Sequence, residues 1–171
     1  ASPYLAGETR VRILHPREKT NRVLFVLPVT PWPGSEDLWV RLGDGLAEVV
    51  KTDVHNRHGY IAVFPDFPGH MPWFIDHATD PSRRHESYMM KVIVPFVDQV
   101  LGLRNPPRDL VGYSKSAYGA LYLLSSYPRV FDYASAWAPP AINNPFDPSV
   151  VNGLANAAGT GGTGWRGSVQ I

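Results

Sequence analysis

The sequence predicts an α/β three-layer sandwich, a mostly parallel, doubly wound sheet with helices on both faces. Three observations carry that expectation. Two short runs, Val23-Leu24-Phe25-Val26-Leu27 and Tyr60-Ile61-Ala62-Val63-Phe64, are almost continuously apolar, as strands buried on both faces of a parallel sheet are. Between the strand patterns stand segments whose apolar residues recur at helical spacing. The third is Asp109-Leu110-Val111-Gly112-Tyr113-Ser114-Lys115-Ser116-Ala117-Tyr118-Gly119-Ala120, where a short apolar run meets a serine between small residues and turns into a helix.

In chain order, residues 9–15 alternate, with Val11, Ile13 and His15 on one side, as an edge or half-exposed strand does. Residues 22–29 read as a central strand ending at Pro28-Val29. The rigid loop Thr30-Pro31-Trp32-Pro33-Gly34 follows, where an α/β enzyme builds half of an oxyanion hole. Proline has no N–H, so Thr30 or Trp32 must donate there. Residues 35–50 predict a helix capped by Ser35, with Leu38, Leu42, Leu46 and Val49 on one face, weakened by Gly43 and Gly45. Residues 51–58 are a polar connection; His55 and His58 lack a third ligand at a metal-site spacing and read as part of a solvated loop.

The next strand, residues 59–64, ends in a loop rich in proline and aromatics. Its Phe67, Trp73 and Phe74 either line an apolar acyl or alcohol pocket or pack as a structural loop, and Trp32 is a further candidate for the lining. Asp80-Pro81 caps a helix expected over residues 82–101, kinked at Pro95. After the serine-bearing turn a thin helix runs to Pro128, and residues 132–138 give one more strand. The expected core is residues 1–142. Residues 143–171, rich in Gly, Asn and Ala, read as a tail. Its Gly159-Thr160-Gly161-Gly162-Thr163-Gly164 matches a dinucleotide loop in letters but has no strand before it.

Composition narrows the function. At 171 residues the chain is one domain by length, and a formal charge of +1 makes no electrostatic case for nucleic acid or an acidic membrane surface. The absence of cysteine excludes disulfides, zinc thiolates and cysteine nucleophiles. No apolar run approaches the roughly 18 residues of a membrane span. The expected protein is soluble, and secreted or periplasmic if a signal peptide has been removed.

Ser114 is the candidate nucleophile. In a nucleophile elbow the serine sits on a strained strand-to-helix turn, so the residues two before and two after must be small. Gly112 and Ser116 meet that demand, in a Gly-x-Ser-x-Ser variant of the commoner Gly-x-Ser-x-Gly. Residues 112–120, with Tyr127-Pro128-Arg129-Val130-Phe131 and Ala134-Ser135-Ala136-Trp137, resemble the α/β-hydrolase superfamily, specifically its esterase-D-like and polyhydroxybutyrate-depolymerase-like serine esterases. The loop after Val26-Leu27-Pro28-Val29 stands in place of that family's His-Gly oxyanion turn. The resemblance covers residues from about 10 to 140. It implies a serine carboxylesterase cleaving a small-molecule ester, with the Lys115 backbone N–H as one oxyanion donor and no cofactor; the loop reading adds Thr30 as the second donor.

The family supplies its triad in the order nucleophile, acid, histidine. Here all six histidines precede Ser114, and the acids after it are Asp132 and Asp147. Asp132 begins a strand at the wrong edge; Asp147 follows that strand's carboxyl end and is a candidate acid. Three readings follow. Acid and histidine lie in a part absent from this chain or in another chain; or His70 or His77, from the loop after the Tyr60 strand, is the base; or the chain is a non-catalytic binding or scaffold protein on a hydrolase fold. A sheet that stops after the 132–138 strand leaves an open edge, through which a homo-oligomer is expected.

Overall fold

The computed structural model describes residues 2–29, 45–67 and 72–139. Its strands are β1 (Val11–Leu14), β2 (Val23–Val26), β3 (Ile61–Pro65), β4 (Arg108–Tyr113) and β5 (Tyr133–Trp137). Its helices are α1 (Gly45–Thr52), α2 (Val54–Arg57), α3 (His85–Tyr88), α4 (Val94–Leu101) and α5 (Lys115–Ser126), with a π turn at Met89–Ile93 joining α3 to α4. The five strands form one sheet in the order β1-β3-β2-β4-β5. β1 runs antiparallel to β3, and every other pairing is parallel.

The apolar runs occupy the centre because they have no polar face to give to water. All five residues of β3 are buried, as are Val23, Phe25 and Val26 of β2. β1, whose pattern alternates, is half-buried at each position and takes the edge. The order reverses direction after β3, so right-handed crossovers put α1 on one face and α3, α4 and α5 on the other. That is the three-layer, mostly parallel arrangement the sequence predicts. β5 pairs with β4, and among the described strands nothing pairs with its other side. Tyr133 and Trp137, which share one face of β5, are 73% and 76% exposed.

The helices depart from expectation where side chains capture the backbone locally. Residues 51–58 are mostly helical instead of a polar connection. α1 runs on to Thr52, Asp53 turns into the left-handed region (φ 56°), and α2 follows. The polar residues bond to one another: Asn56 Nδ2 donates to Asp53 Oδ1 at 2.5 Å, and Asn56 Oδ1 accepts from the Arg17 N–H at 2.6 Å. His55 is thereby turned inward and is 6% exposed, which corrects the reading of a solvated loop. The helix expected from residue 82 begins instead at His85. Asp80 Oδ1 accepts from both the N–H and the hydroxyl of Ser82, at 2.9 and 2.6 Å, and this Asx turn holds the chain out of helix. Pro95 follows the π turn in the first turn of α4. A proline lacks the N–H a helix needs and crowds the carbonyl four residues back, and the wider π turn relieves both. α4 ends in a Schellman motif, with Gly102 at φ 63° and the N–H groups of Gly102 and Leu103 bonded to the carbonyls of Gln99 and Asp98.

The amino-terminal ends of the strands are tied by charge. Tyr60 donates to Asp109 Oδ2 at 2.5 Å, and the Arg22 guanidinium lies 4.2 Å from the centre of the Tyr60 ring. Asp132 accepts from the Arg108 N–H at 2.8 Å. These groups stand at the opposite end of β4 from Ser114.

Candidate active site

β4 carries the chain to Tyr113, and α5 starts at Lys115, so one residue makes the whole turn. That residue, Ser114, has φ 54° and ψ −123°. Such a conformation costs a non-glycine residue about 1–3 kcal/mol and persists only where its surroundings impose it. Four contacts do so. The Ser114 N–H bonds to the Trp137 carbonyl of β5 at 2.9 Å, while its own carbonyl accepts from the N–H groups of Ala117 and Tyr118, at 3.0 and 3.3 Å. The fourth is close packing at Gly112, where a Cβ would stand 2.1 Å from the Ser116 carbonyl oxygen. Only glycine lets the helix pass there.

Ser116 is more than small. It is fully buried, and its Oγ accepts from the Tyr113 N–H and donates to the Tyr113 carbonyl, both at 2.9 Å. The sequence showed the size condition and not this pair of bonds, which need the elbow already formed. Lys115 opens α5, the position at which a helix aims backbone N–H groups and the positive end of its dipole outward. An anion forming at Ser114 would meet both.

The loop after β3 packs against α5. Trp73 is buried and meets Tyr118 edge-to-face at 5.9 Å, and Lys115 Nζ lies 5.4 Å from the centre of the Trp73 ring. Burial holds the Lys115 pKa below the ordinary lysine value. Phe67 and Phe74 have no exposed surface and belong to the core: Phe67 packs edge-to-face on Phe74, His85 and Tyr88. Of the two readings the sequence left open for them, pocket lining or structural packing, their burial favours packing. Gly119 faces Phe74; a Cβ there would fall 2.1 Å from the ring. Farther along α5, Tyr122 and Tyr127 donate to the two oxygens of Glu86 at 2.9 and 2.5 Å, a clamp between α5 and α3 that the sequence did not suggest.

His77 spends its bonds in its own turn. Nδ1 accepts from the N–H of Asp80 at 2.9 Å and of Thr79 at 3.3 Å. An accepting Nδ1 puts the ring proton on Nε2, the wrong tautomer for taking a proton through Nε2. No hydrogen bond joins His77 to Ser114. Thr30, Trp32, His70 and Asp147, together with the tail at 143–171, lie outside the described residues. Among the described residues no three His, Asp or Glu side chains are grouped to hold a metal ion, and no helix is long and apolar enough to cross a membrane.

A strained serine between a central parallel strand and a helix, with small residues on either side, meets an independent finding in the sequence. Residues 68–158, more than half of the chain, match the family model described as "Putative esterase". The chain belongs to this esterase family. Solved structures agree on the fold. Mycobacterium tuberculosis MPT51 superposes with a TM-score of 0.69 at 16% identity, over 91% of this chain and 55% of its own. An S-formylglutathione hydrolase from Agrobacterium tumefaciens gives 0.65 at 15%, over 93% and 66%. A ferulic acid esterase gives 0.57 at 15%, over 81% and 55%. The chain therefore spans 55 to 66% of the length of these structures. No curated protein sequence matches. The family and these neighbours make the fold that of the α/β-hydrolase esterases.

Proposed function

We propose that this chain is the nucleophile-bearing part of a serine hydrolase that cleaves carboxylic esters through an acyl-enzyme on Ser114. The observation that carries the proposal is the Ser114 backbone, held at φ 54° and ψ −123° between β4 and α5. A serine there has its hydroxyl lifted clear of both elements, and the adjacent helix N-terminus is ready for the developing oxyanion. In the proposed reaction the Ser114 oxygen attacks the ester carbonyl while a base takes its proton. The tetrahedral oxyanion is held by the Lys115 N–H and by the Thr30 N–H, each worth about 3 kcal/mol of barrier. Collapse expels the alcohol, which receives the proton, and water then repeats the sequence to release the acid.

The base is proposed to be a histidine other than His77, whose Nδ1 already accepts two backbone bonds. His70, with Asp147 as acid, is one candidate; a histidine and acid from a segment outside these 171 residues or from a partner chain are the other. The second reading, a non-catalytic binding protein on the hydrolase fold, draws on the same fact, that no described histidine is bonded to Ser114.

Fluorophosphonate labelling of the folded chain, read by intact mass and peptide mapping, tests the proposal. Stoichiometric modification at Ser114, abolished in Ser114→Ala and lowered at least tenfold in His70→Ala if that residue is the base, is the expected result. A folded chain that stays unmodified, alone and in its native assembly, refutes it in favour of the binding protein.

A further inference from the structure

The turn at Ser114 is held by backbone bonds and by the Ser116 side chain, and that side chain stands where the sheet stops. β2 pairs with β4 from Val23 opposite Arg108 to Val26 opposite Val111, and the Leu27 N–H still reaches the Val111 carbonyl at 2.9 Å. Alternate residues of a central parallel strand bond to alternate neighbours, so Tyr113, like Val111, belongs to the β2 side. Among the described residues none of β2 is paired with it. Ser116 fills the gap. Fully buried, its Oγ accepts from the Tyr113 N–H and donates to the Tyr113 carbonyl, each at 2.9 Å. The peptide joining Tyr113 to Ser114 is therefore held at both ends, its oxygen by Ser116 and its N–H by the Trp137 carbonyl at 2.9 Å. The next peptide, from Ser114 to Lys115, is held through its oxygen by the N–H groups of Ala117 and Tyr118. A peptide group is planar, so two fixed planes fix φ and ψ of the residue between them, and with them the direction of its Cα–Cβ bond.

We infer that Ser116 is a positioning residue for the proposed nucleophile: its hydroxyl fixes the plane of the peptide before Ser114 and so aims the Ser114 side chain. The inference rests on Ser114 being the reacting serine. It runs against the commoner Gly-x-Ser-x-Gly pattern, because a glycine at this place has no side chain to make the two bonds. Putting that glycine into this chain should harm the elbow, although glycine is the usual residue of such turns.

One arm of the test is free of turnover. Urea unfolding is measured for the full chain, Ser114→Gly, Ser116→Ala and the double variant. Ser114→Gly is expected to raise the folding constant about fivefold in the parent, where it relieves the imposed φ, and less than about twofold in Ser116→Ala, where the imposition is gone. In the parent, hydrogen exchange should find the Tyr113 amide protected. The other arm is fluorophosphonate labelling. Its limiting rate at Ser114 should fall at least about tenfold in Ser116→Ala and in Ser116→Gly at an unchanged half-saturating concentration, the mark of lost alignment with binding intact. Ile93→Val, a buried change in the π turn before α4, should leave that rate as it is. Equal gains from Ser114→Gly in both backgrounds, a Tyr113 amide that exchanges freely, or a limiting rate unchanged in a folded Ser116→Ala overturns the positioning role. A parent chain that shows the coupling and never labels would remove the serine mechanism while leaving the turn's geometry assigned to Ser116. Labelling without the coupling would do the reverse.

Discussion

Adding a single methyl at Gly119 tests whether the loop after β3 and the elbow helix are packed as one unit. On helix propensity alone Gly119→Ala stabilises α5 by about 1 kcal/mol. In this chain the new Cβ would stand 2.1 Å from Phe74 Cδ2, 2.6 Å from Cγ and 2.7 Å from Cε2. Carbon atoms come to rest at about 3.5 Å, so the ring must retreat by roughly 1.4 Å. It has little room. Phe74 has no exposed surface, meets Phe67 edge-to-face at 5.2 Å, and has a backbone at φ 58°, a conformation its neighbours already impose. Overpacking a dense core costs about 1–3 kcal/mol, and with three ring atoms inside contact the upper end applies, leaving a net loss of about 2 kcal/mol. Urea unfolding of the full chain should show a lower midpoint with an unchanged slope. Phe74→Leu should make room, so the double variant should recover at least 1 kcal/mol relative to the sum of the single effects, about the coupling expected of touching side chains. Gly119→Ala as stable as the parent, or strictly additive single effects, would refute the packing argument.

Two further outcomes follow from the same region. Ser114→Gly should raise stability by about 1 kcal/mol in thermal unfolding, because glycine adopts φ 54° without a Cβ penalty, while it removes the hydroxyl proposed to react; a less stable variant would mean that the turn is not strained. Burial first, and the Glu86 carboxylate second, push Tyr118 and Tyr122 up to about 12, and Tyr127 is raised for the same two reasons. These groups titrate near 10 in the unfolded chain, so their contribution to stability is complete below about pH 10 and is lost as pH rises toward 12. Phenolate absorbance of the folded chain should be delayed accordingly, and Glu86→Gln should move Tyr122 back toward its ordinary value; phenolates appearing at ordinary pH in folded protein would contradict this.

The sheet was legible because its strands are written in the one-letter pattern that burial requires. Phe25 and Val63 could not stand on a wet face, and Val11 to Leu14 could not stand in the middle. The elbow was legible for a steric reason: Gly112 is needed wherever a helix backbone passes so close. What stayed hidden depends on partners far apart in sequence or on competition within a few residues. Asp80 capturing Ser82 displaces a helix start that the spacing of apolar residues alone favours. Phe67 and Phe74 carry the composition of either a pocket or a core, and their burial against each other, His85 and Tyr88 favours the core. His55 looked solvated beside His58, Asn56 and Arg57, yet the segment is helical, with Asn56 bonded to Asp53 and to the Arg17 N–H, and the imidazole is buried. Chain order gave no guide to a base for the proposed nucleophile, since every histidine comes before Ser114, and the candidates His70 and His77 rested on loop position alone.

Ser116 has a broader implication. Its hydroxyl bonds twice to Tyr113, on the other side of Ser114, and so bridges the turn from its two flanks. An elbow fastened in this way carries its own jig. It needs the neighbouring strand for one bond and the helix for its first turn. The geometry of the turn is in that sense set locally, by Gly112, Ser116, the first turn of α5 and one bond to β5.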